Sequence, residues 1–284
     1  MITAAALRRN KVPQKVLTFL GAVLILSFAL VPFLWMFNVS ITPEQETFAR
    51  DIQYVPVNAT IENYRNVLEV MPFTHFFKNS TIIAVATTVL GLLLSVFASY
   101  AMARYRFRGR KPLIASLLLV YMLPGIVLLV PLMVIFQSLK LMNTYTGLIL
   151  AESTHVLPFA IWLLTGYFAS LPKELEEAAM VDGATPVGAL FRVVLPLALP
   201  GVVAAGMFAF IASWNNFLYA FMFTSGDDTR TLPVAMRFLV GGESDFYWGG
   251  VSAAAVMTTV PVACVFLLFQ RYLIHGLTSG SVKG

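Results

Sequence analysis

The chain has 284 residues, of which 58% are hydrophobic and only 12% charged, with a net charge of +5 and a mean hydropathy of +0.80. Soluble domains carry roughly a quarter charged residues, and at this length core volume is not scarce, so the surplus apolar surface faces lipid rather than water. The basic excess does not point to nucleic acid, because it gathers beside apolar runs, in RRNKVPQK (8–15) and RYRFRGRK (104–111), as juxtamembrane anchors do. The single cysteine, Cys264, lies in an apolar run and can form no disulfide within the chain.

Residues 1–15 read as a short cytoplasmic N-terminus, and the first apolar run covers 16–37. It is longer than the ~7–15 apolar residues of a secretory signal and ends on bulky PFLWMF, so it reads as a retained span. Five further runs, 80–103, 113–137, 146–169, 196–222 and 250–273, also meet the length of about 20 residues that a membrane-crossing helix needs. All are too long for strands, and no alternating ten-residue pattern suggests a barrel. Pro124, Gly125, Pro131 and Pro158 predict kinks in the third and fourth runs. Between spans, residues 38–79 predict an extended piece followed by a short helix from about Thr60, and 223–249 carry turn-forming Gly and Asp at both ends. Asn58-Ala59-Thr60 and Asn79-Ser80-Thr81 match the glycosylation pattern, which is too short to weigh much. Trp35 and Trp248, at span ends, fit interfacial belts.

With six spans both termini lie on one side. That side holds Arg8, Arg9, Lys11, Lys15, Arg104, Arg106, Arg108, Arg110, Lys111, Lys173, Arg192, Arg271 and Lys283, thirteen cations against six (Arg50, Arg65, Lys78, Lys140, Arg230 and Arg237) on the other. The bias predicts a multi-pass protein of the cell membrane with both termini, and the loop 170–195, in the cytoplasm.

That loop, ELEEAAMVDGATPVGALFRVVL from 174 to 195, predicts two short helices. Glu174, Glu176 and Glu177 suit the positive first turn of one helix, and Gly183 suits its C-terminal stop. Thr185-Pro186 reads as an N-cap with proline at the first position of a second helix, about 186–194, with Val187, Leu190, Val193 and Val194 on roughly one face. A charged hairpin is by default a solvated connection. Here the charges sit at one end and small residues (Ala178, Ala179, Gly183, Ala184) in the middle, which is the pattern of a docking element with a polar rim.

The stretch ELEEAAMVDGATPVGALFRVVLPLALPG resembles the EAA loop of ATP-binding-cassette importer permeases, with Glu177-Ala178-Ala179 and Asp182-Gly183-Ala184 on the motif. SYAMARYRFRGRKPL, TIENYRNVL, SWNNFLYAF and the terminal HGLTSGSVKG resemble the carbohydrate branch of that family, related to the second permease of maltose and trehalose importers. The resemblance implies an all-α membrane protein with six transmembrane helices, in which Glu177, Ala178, Ala179, Asp182, Gly183 and Ala184 couple to a cytoplasmic ATPase. It implies a second, different permease, two ATPase subunits, an extracytoplasmic binding protein and a sugar, with ATP and Mg used by the ATPase and no cofactor bound by this chain. The tail 274–284 would be cytoplasmic, either a disordered end or an element reaching toward the ATPase. No G-x-x-x-x-G-K-[ST] string occurs, so the chain carries no phosphate-cradling loop of its own, and no H-E-x-x-H or G-x-S-x-G string suggests intrinsic catalysis.

For the substrate pathway the polar groups within spans are informative, because membrane burial makes them costly. Glu152 and His155 lie three apart on one helical face, and either pair in the packing or line a cavity. In SWNNFLYAF, Asn215 and Asn216 with Ser213 offer hydrogen bonds to sugar hydroxyls, and Trp214 and Tyr219 offer aromatic faces; the amides could equally join helices. Gln137 and Tyr145 are weaker candidates. Alternatives are a proton-coupled secondary transporter using Glu152 and His155, a non-transporting membrane scaffold, or an importer of another substrate such as a glycerol-phosphodiester. The sugar itself is not readable from the chain.

Overall fold

A computed structural model describes residues 11–47, 54–240 and 247–281, and all regular structure among them is helical. In chain order the elements are α1 (Lys11–Ser40), α2 (Glu44–Thr47), α3 (Glu62–Val70), α4 (Phe73–Arg104), α5 (Arg110–Met122), α6 (Gly125–Ser138) and α7 (Tyr145–Ser170). There follow α8 (Glu174–Val181), α9 (Pro186–Ala189), a π-helical turn (Leu190–Val194), α10 (Leu195–Leu197), α11 (Leu199–Trp214), α12 (Leu218–Phe223), α13 (Leu232–Val240) and α14 (Trp248–Ser281). Four helices among the described residues are long and apolar enough to cross a membrane, and six spans result if two bent pairs each count as one. The N-terminal residues 1–10 and the end of the tail, 282–284, lie outside the described residues.

Two compact units divide the chain. The first comprises Met1–Met71 with Gly242–Met257. Its α1 exposes apolar side chains all round, Leu17 at 73% and Phe28 at 84%, as a helix does when its neighbour is lipid. Below α1, buried Asn63 donates to the carbonyls of Ser40 (3.0 Å) and Thr42 (2.8 Å) and accepts from Tyr247 Oη (2.7 Å). A Cβ on Gly249 would meet the Asn63 side chain at 2.6 Å, so only glycine lets the start of α14 pass there.

The second unit comprises Pro72–Gly241 with Thr258–Gly284. Helices α4, α7 and α11 pack along one another, and two apolar clusters hold them. One joins Val96, Tyr100 and Ala103 of α4 to Leu164 and Phe168 of α7, to Leu190 and Val194 of the π turn, and to Ala205 of α11. The other joins Ile83 of α4 to Leu129 and Phe136 of α6, Leu148 and Ala151 of α7, and Tyr219 and Phe223 of α12. The third apolar run, 113–137, is not one helix: α5 and α6 meet at 98° where Leu123-Pro124 interrupts the ladder. The fifth run, 196–222, is bent by 81° at Ala198, between Pro196 and Pro200, and is broken again at 215–217.

The loop after α12 is tied back to α4 and α7. Asn79 donates to the carbonyls of Asp228 (3.0 Å) and Arg230 (2.9 Å) and accepts from Tyr145 Oη (2.6 Å), while Ser80 Oγ accepts from Leu232 N (2.7 Å). Asn79 is fully buried, so the second glycosylation match is closed to modification. Tyr145, considered for the pathway, serves as part of this tie.

Candidate functional site

The hairpin between α7 and α11 is built from local signals. Helix α8 ends in a Schellman arrangement: Ala184 N donates to Ala179 O (3.0 Å), Gly183 N donates to Met180 O (3.1 Å), and Gly183 has φ +91°. A Cβ at Gly183 would meet nothing within 4 Å, so the glycine is required by its backbone angle and not by crowding inside the chain. Thr185 Oγ1 then caps α9 by accepting from Gly188 N (3.1 Å), with Pro186 at the first helical position. Only Pro186–Ala189 is α-helical; the chain continues as a π turn, which turns Leu190 and Val194 inward and leaves Val187 outward at 55% exposure.

Of the residues carrying the EAA motif, Glu177, Ala178, Asp182 and Gly183 are exposed, and Ala179 and Ala184 are half-buried. Exposed Leu175, Met180, Val181 and Phe191 surround them, Val181 at 86%. The hairpin therefore presents small and apolar groups outward, edged by carboxylates.

Glu176 behaves differently from its neighbours in the first turn of α8. It points inward and is buried; Tyr100 Oη donates to its Oε1, and Arg104 Nε donates to its Oε2 at 2.7 Å. The ion pair is almost closed to solvent, the two side chains being 6% and 8% exposed. Tyr100 Oη also lies 3.2 Å from Pro186 O, and Arg104 Nη1 lies 3.4 Å from Leu171 O. The C-terminal end of α4 thus grips α8, the start of α9 and the end of α7 together. The pairing of Tyr100 and Arg104 with Glu176 does not follow from the sequence reading. The available signal was the spacing of Tyr100 and Arg104, four apart on one face of a long helix beside the loop.

Between the two apolar clusters lies a polar belt. Glu152 on α7 is 1% exposed and accepts a hydrogen bond from Ser213 of α11. His155, half-buried, has its ring 5.9 Å from that of Tyr121 and 6.1 Å from that of Tyr219. Trp214 is 3% exposed, its Nε1 donating to Thr258 O (3.1 Å) and its ring beside Phe77 and Phe210. Asn216 Oδ1 caps α12 by accepting from Tyr219 N (3.0 Å), whereas Asn215 is exposed at the helix break. The SWNNFLYAF stretch is therefore divided: Trp214 packs, Asn216 caps and Asn215 remains available. Gln137 is exposed on α6. A row of rings not singled out from the sequence, Tyr121, Phe159 and Phe208, adjoins His155, and Phe159 and Phe208 are 4.1 Å apart. Among the described residues no group of three or more His, Cys, Asp or Glu is placed to hold a metal.

The described residues thus combine apolar helices of spanning length, two of them bent pairs, with a capped hairpin fixed to the C-terminal end of α4. The chain belongs to the family of binding-protein-dependent transport system inner membrane components, whose pattern matches residues 91–279. It is 40% identical to the sulfoquinovosyl glycerol transport system permease SmoH of Agrobacterium fabrum, over 95% of this chain and 94% of that one. It is 37% identical to the trehalose/maltose transport system permease MalG of Thermococcus litoralis, over 97% and 99%, and 39% identical to the trehalose transport system permease SugB of Mycobacterium tuberculosis, over 92% and 95%. Its fold matches a chain of a bacterial ABC transporter that imports alginate, with a TM-score of 0.80 at 23% identity, covering 93% of this chain and 98% of that one.

Proposed function

We propose that the chain is the permease subunit of an ATP-driven importer for a carbohydrate, a disaccharide or oligosaccharide such as maltose or trehalose. The observation that carries the reading is the hairpin at 174–189, outwardly small and apolar yet fixed inwardly to the bundle, in a chain without a phosphate-cradling loop. The relatives named for trehalose, maltose and sulfoquinovosyl glycerol transport support a sugar or sugar glycoside as the cargo.

In this reading Glu177, Ala178, Ala179, Asp182, Gly183 and Ala184 seat the hairpin on a cytoplasmic ATPase, and both chain termini share that side. ATP binding closes a pair of ATPase subunits, the hairpin moves with them, and the pathway opens outward to a sugar-loaded binding protein. Hydrolysis returns it inward. A second, different permease completes the pathway, since one hairpin serves one ATPase site. ATP and Mg are used by the ATPase, and this chain binds neither. Asn215, exposed at the helix break, offers this chain's hydrogen-bonding group to the sugar; interrupted helices are where transporters expose backbone and polar groups to cargo. Glu152 and Trp214 hold the helices around that point through Ser213 and Thr258.

Co-purification through a tag on this chain tests the reading. An ATPase and a second permease should accompany it, and ATP hydrolysis by the preparation should rise when a sugar-loaded binding protein is added. A chain that purifies alone and moves sugar without ATP contradicts it.

A further inference from the structure

The hairpin's chain connections alone would make a loose lever. On one side it joins α7 through Leu171-Pro172-Lys173; on the other it runs through a π turn into the bend at Ala198. It is also gripped at Glu176 by α4, a helix not adjacent to it in sequence. We propose that Tyr100 and Arg104 are positioning residues for ATPase coupling: by holding both oxygens of Glu176 they make the hairpin and α4 one rigid piece, so that α4 carries the stroke across the membrane.

Three observations converge on this. The carboxylate is fully engaged, one oxygen with each partner, in an ion pair that is almost closed to solvent. Tyr100 is itself held in the inner apolar cluster, its ring edge-on to Phe168 at 6.4 Å, so the grip is anchored in the bundle and not in a mobile side chain. And α4 is continuous from Phe73 to Arg104, without an internal proline, while α5–α6 and α10–α11 are bent pairs. At its other end the same helix holds the 224–232 loop through Asn79 and Ser80. Asn79 and Arg104 are separated by about 38 Å along the helix. A displacement of the hairpin is thereby delivered to the loop on the opposite face, where cargo would be received. This inference rests on the coupling role proposed above for the hairpin.

The test uses the complex purified through this chain in a Cys264→Ser background, with spin labels at exposed Leu94 of α4 and at exposed Glu174 of α8, which is not among the seating residues. The grip predicts a narrow Leu94–Glu174 distance distribution that broadens in Arg104→Ala and in Glu176→Ala, and less in Tyr100→Phe. In proteoliposomes, Arg104→Ala should lower the sugar moved per ATP hydrolysed by about ten-fold while hydrolysis continues. The Arg104→Ala/Glu176→Ala double variant should be no worse than either single one. If Arg104→Ala does not insert, Glu176→Gln, which keeps the shape and loses the charge, takes its place with the same expectation. An unchanged distance distribution, or an unchanged sugar-to-ATP ratio in variants that do insert, overturns the proposal. A wild-type complex that contains no ATPase overturns the coupling reading instead, and the label distances still report on the grip.

Discussion

Gly183 fixes the end of α8 through its backbone angle, and Glu176 fixes the start of the same helix through a buried ion pair with Arg104. Gly183 and Thr185 belong to helix ends whose signals are confined to a few neighbouring residues, so the stop and the cap could be read directly. Glu176 looked like one of three equivalent first-turn carboxylates; its partner Arg104 is 72 residues away, and only the packing of α4 against the hairpin distinguishes it from Glu177. Removing one member of such a buried pair leaves a charge without compensation, a loss of about 3–5 kcal/mol. The Gly183 backbone angle carries its own prediction. Alanine at φ +91° should open the cap by about 1 kcal/mol and speed hydrogen exchange at Ala184 N roughly five-fold, whereas asparagine, which tolerates the left-handed region, should speed it clearly less. Equal acceleration by both would mean that the backbone angle is not what the glycine supplies.

At the scale of elements, the apolar runs were visible because span length and composition are local properties, but their direction was not. Residues 196–222 read as one span, and the bend at Ala198 and the break at 215–217 follow from flanking prolines and from an Asn cap whose effect depends on neighbouring helices. Pro124, Pro131 and Pro158 all read as kink sites; Pro124 separates two helices, while Pro131 and Pro158 sit inside continuous ones. Close approach between elements was also hidden. A Cβ on Gly201 of α11 would lie 2.5 Å from the Tyr167 ring of α7. Gly201→Ala should therefore destabilise the bundle by about 1–3 kcal/mol in detergent thermal unfolding. Adding Tyr167→Ala should remove most of the penalty of the Gly201 substitution. Additive losses in the double variant would show that the two helices do not meet there.

For the whole molecule, the family and the all-helical permease fold were legible because the EAA loop and its flanking stretches are contiguous in sequence. The pathway was less so: of the polar residues placed within spans, Glu152 and Trp214 are enclosed by packing, and the exposed Asn215 owes its position to a helix break. A proton-coupled transporter would need Glu152 and His155 to exchange protons along a shared route. Glu152 is enclosed with Ser213, and His155 adjoins Tyr121 and Tyr219, so the transport measurement decides between the two drives. The most direct measurement is uptake of labelled sugar by proteoliposomes containing the purified complex and its binding protein. The account predicts accumulation when ATP is enclosed with the ATPase side, none with a non-hydrolysable analogue, and no response to a proton gradient alone. Accumulation driven by the proton gradient without ATP would contradict it.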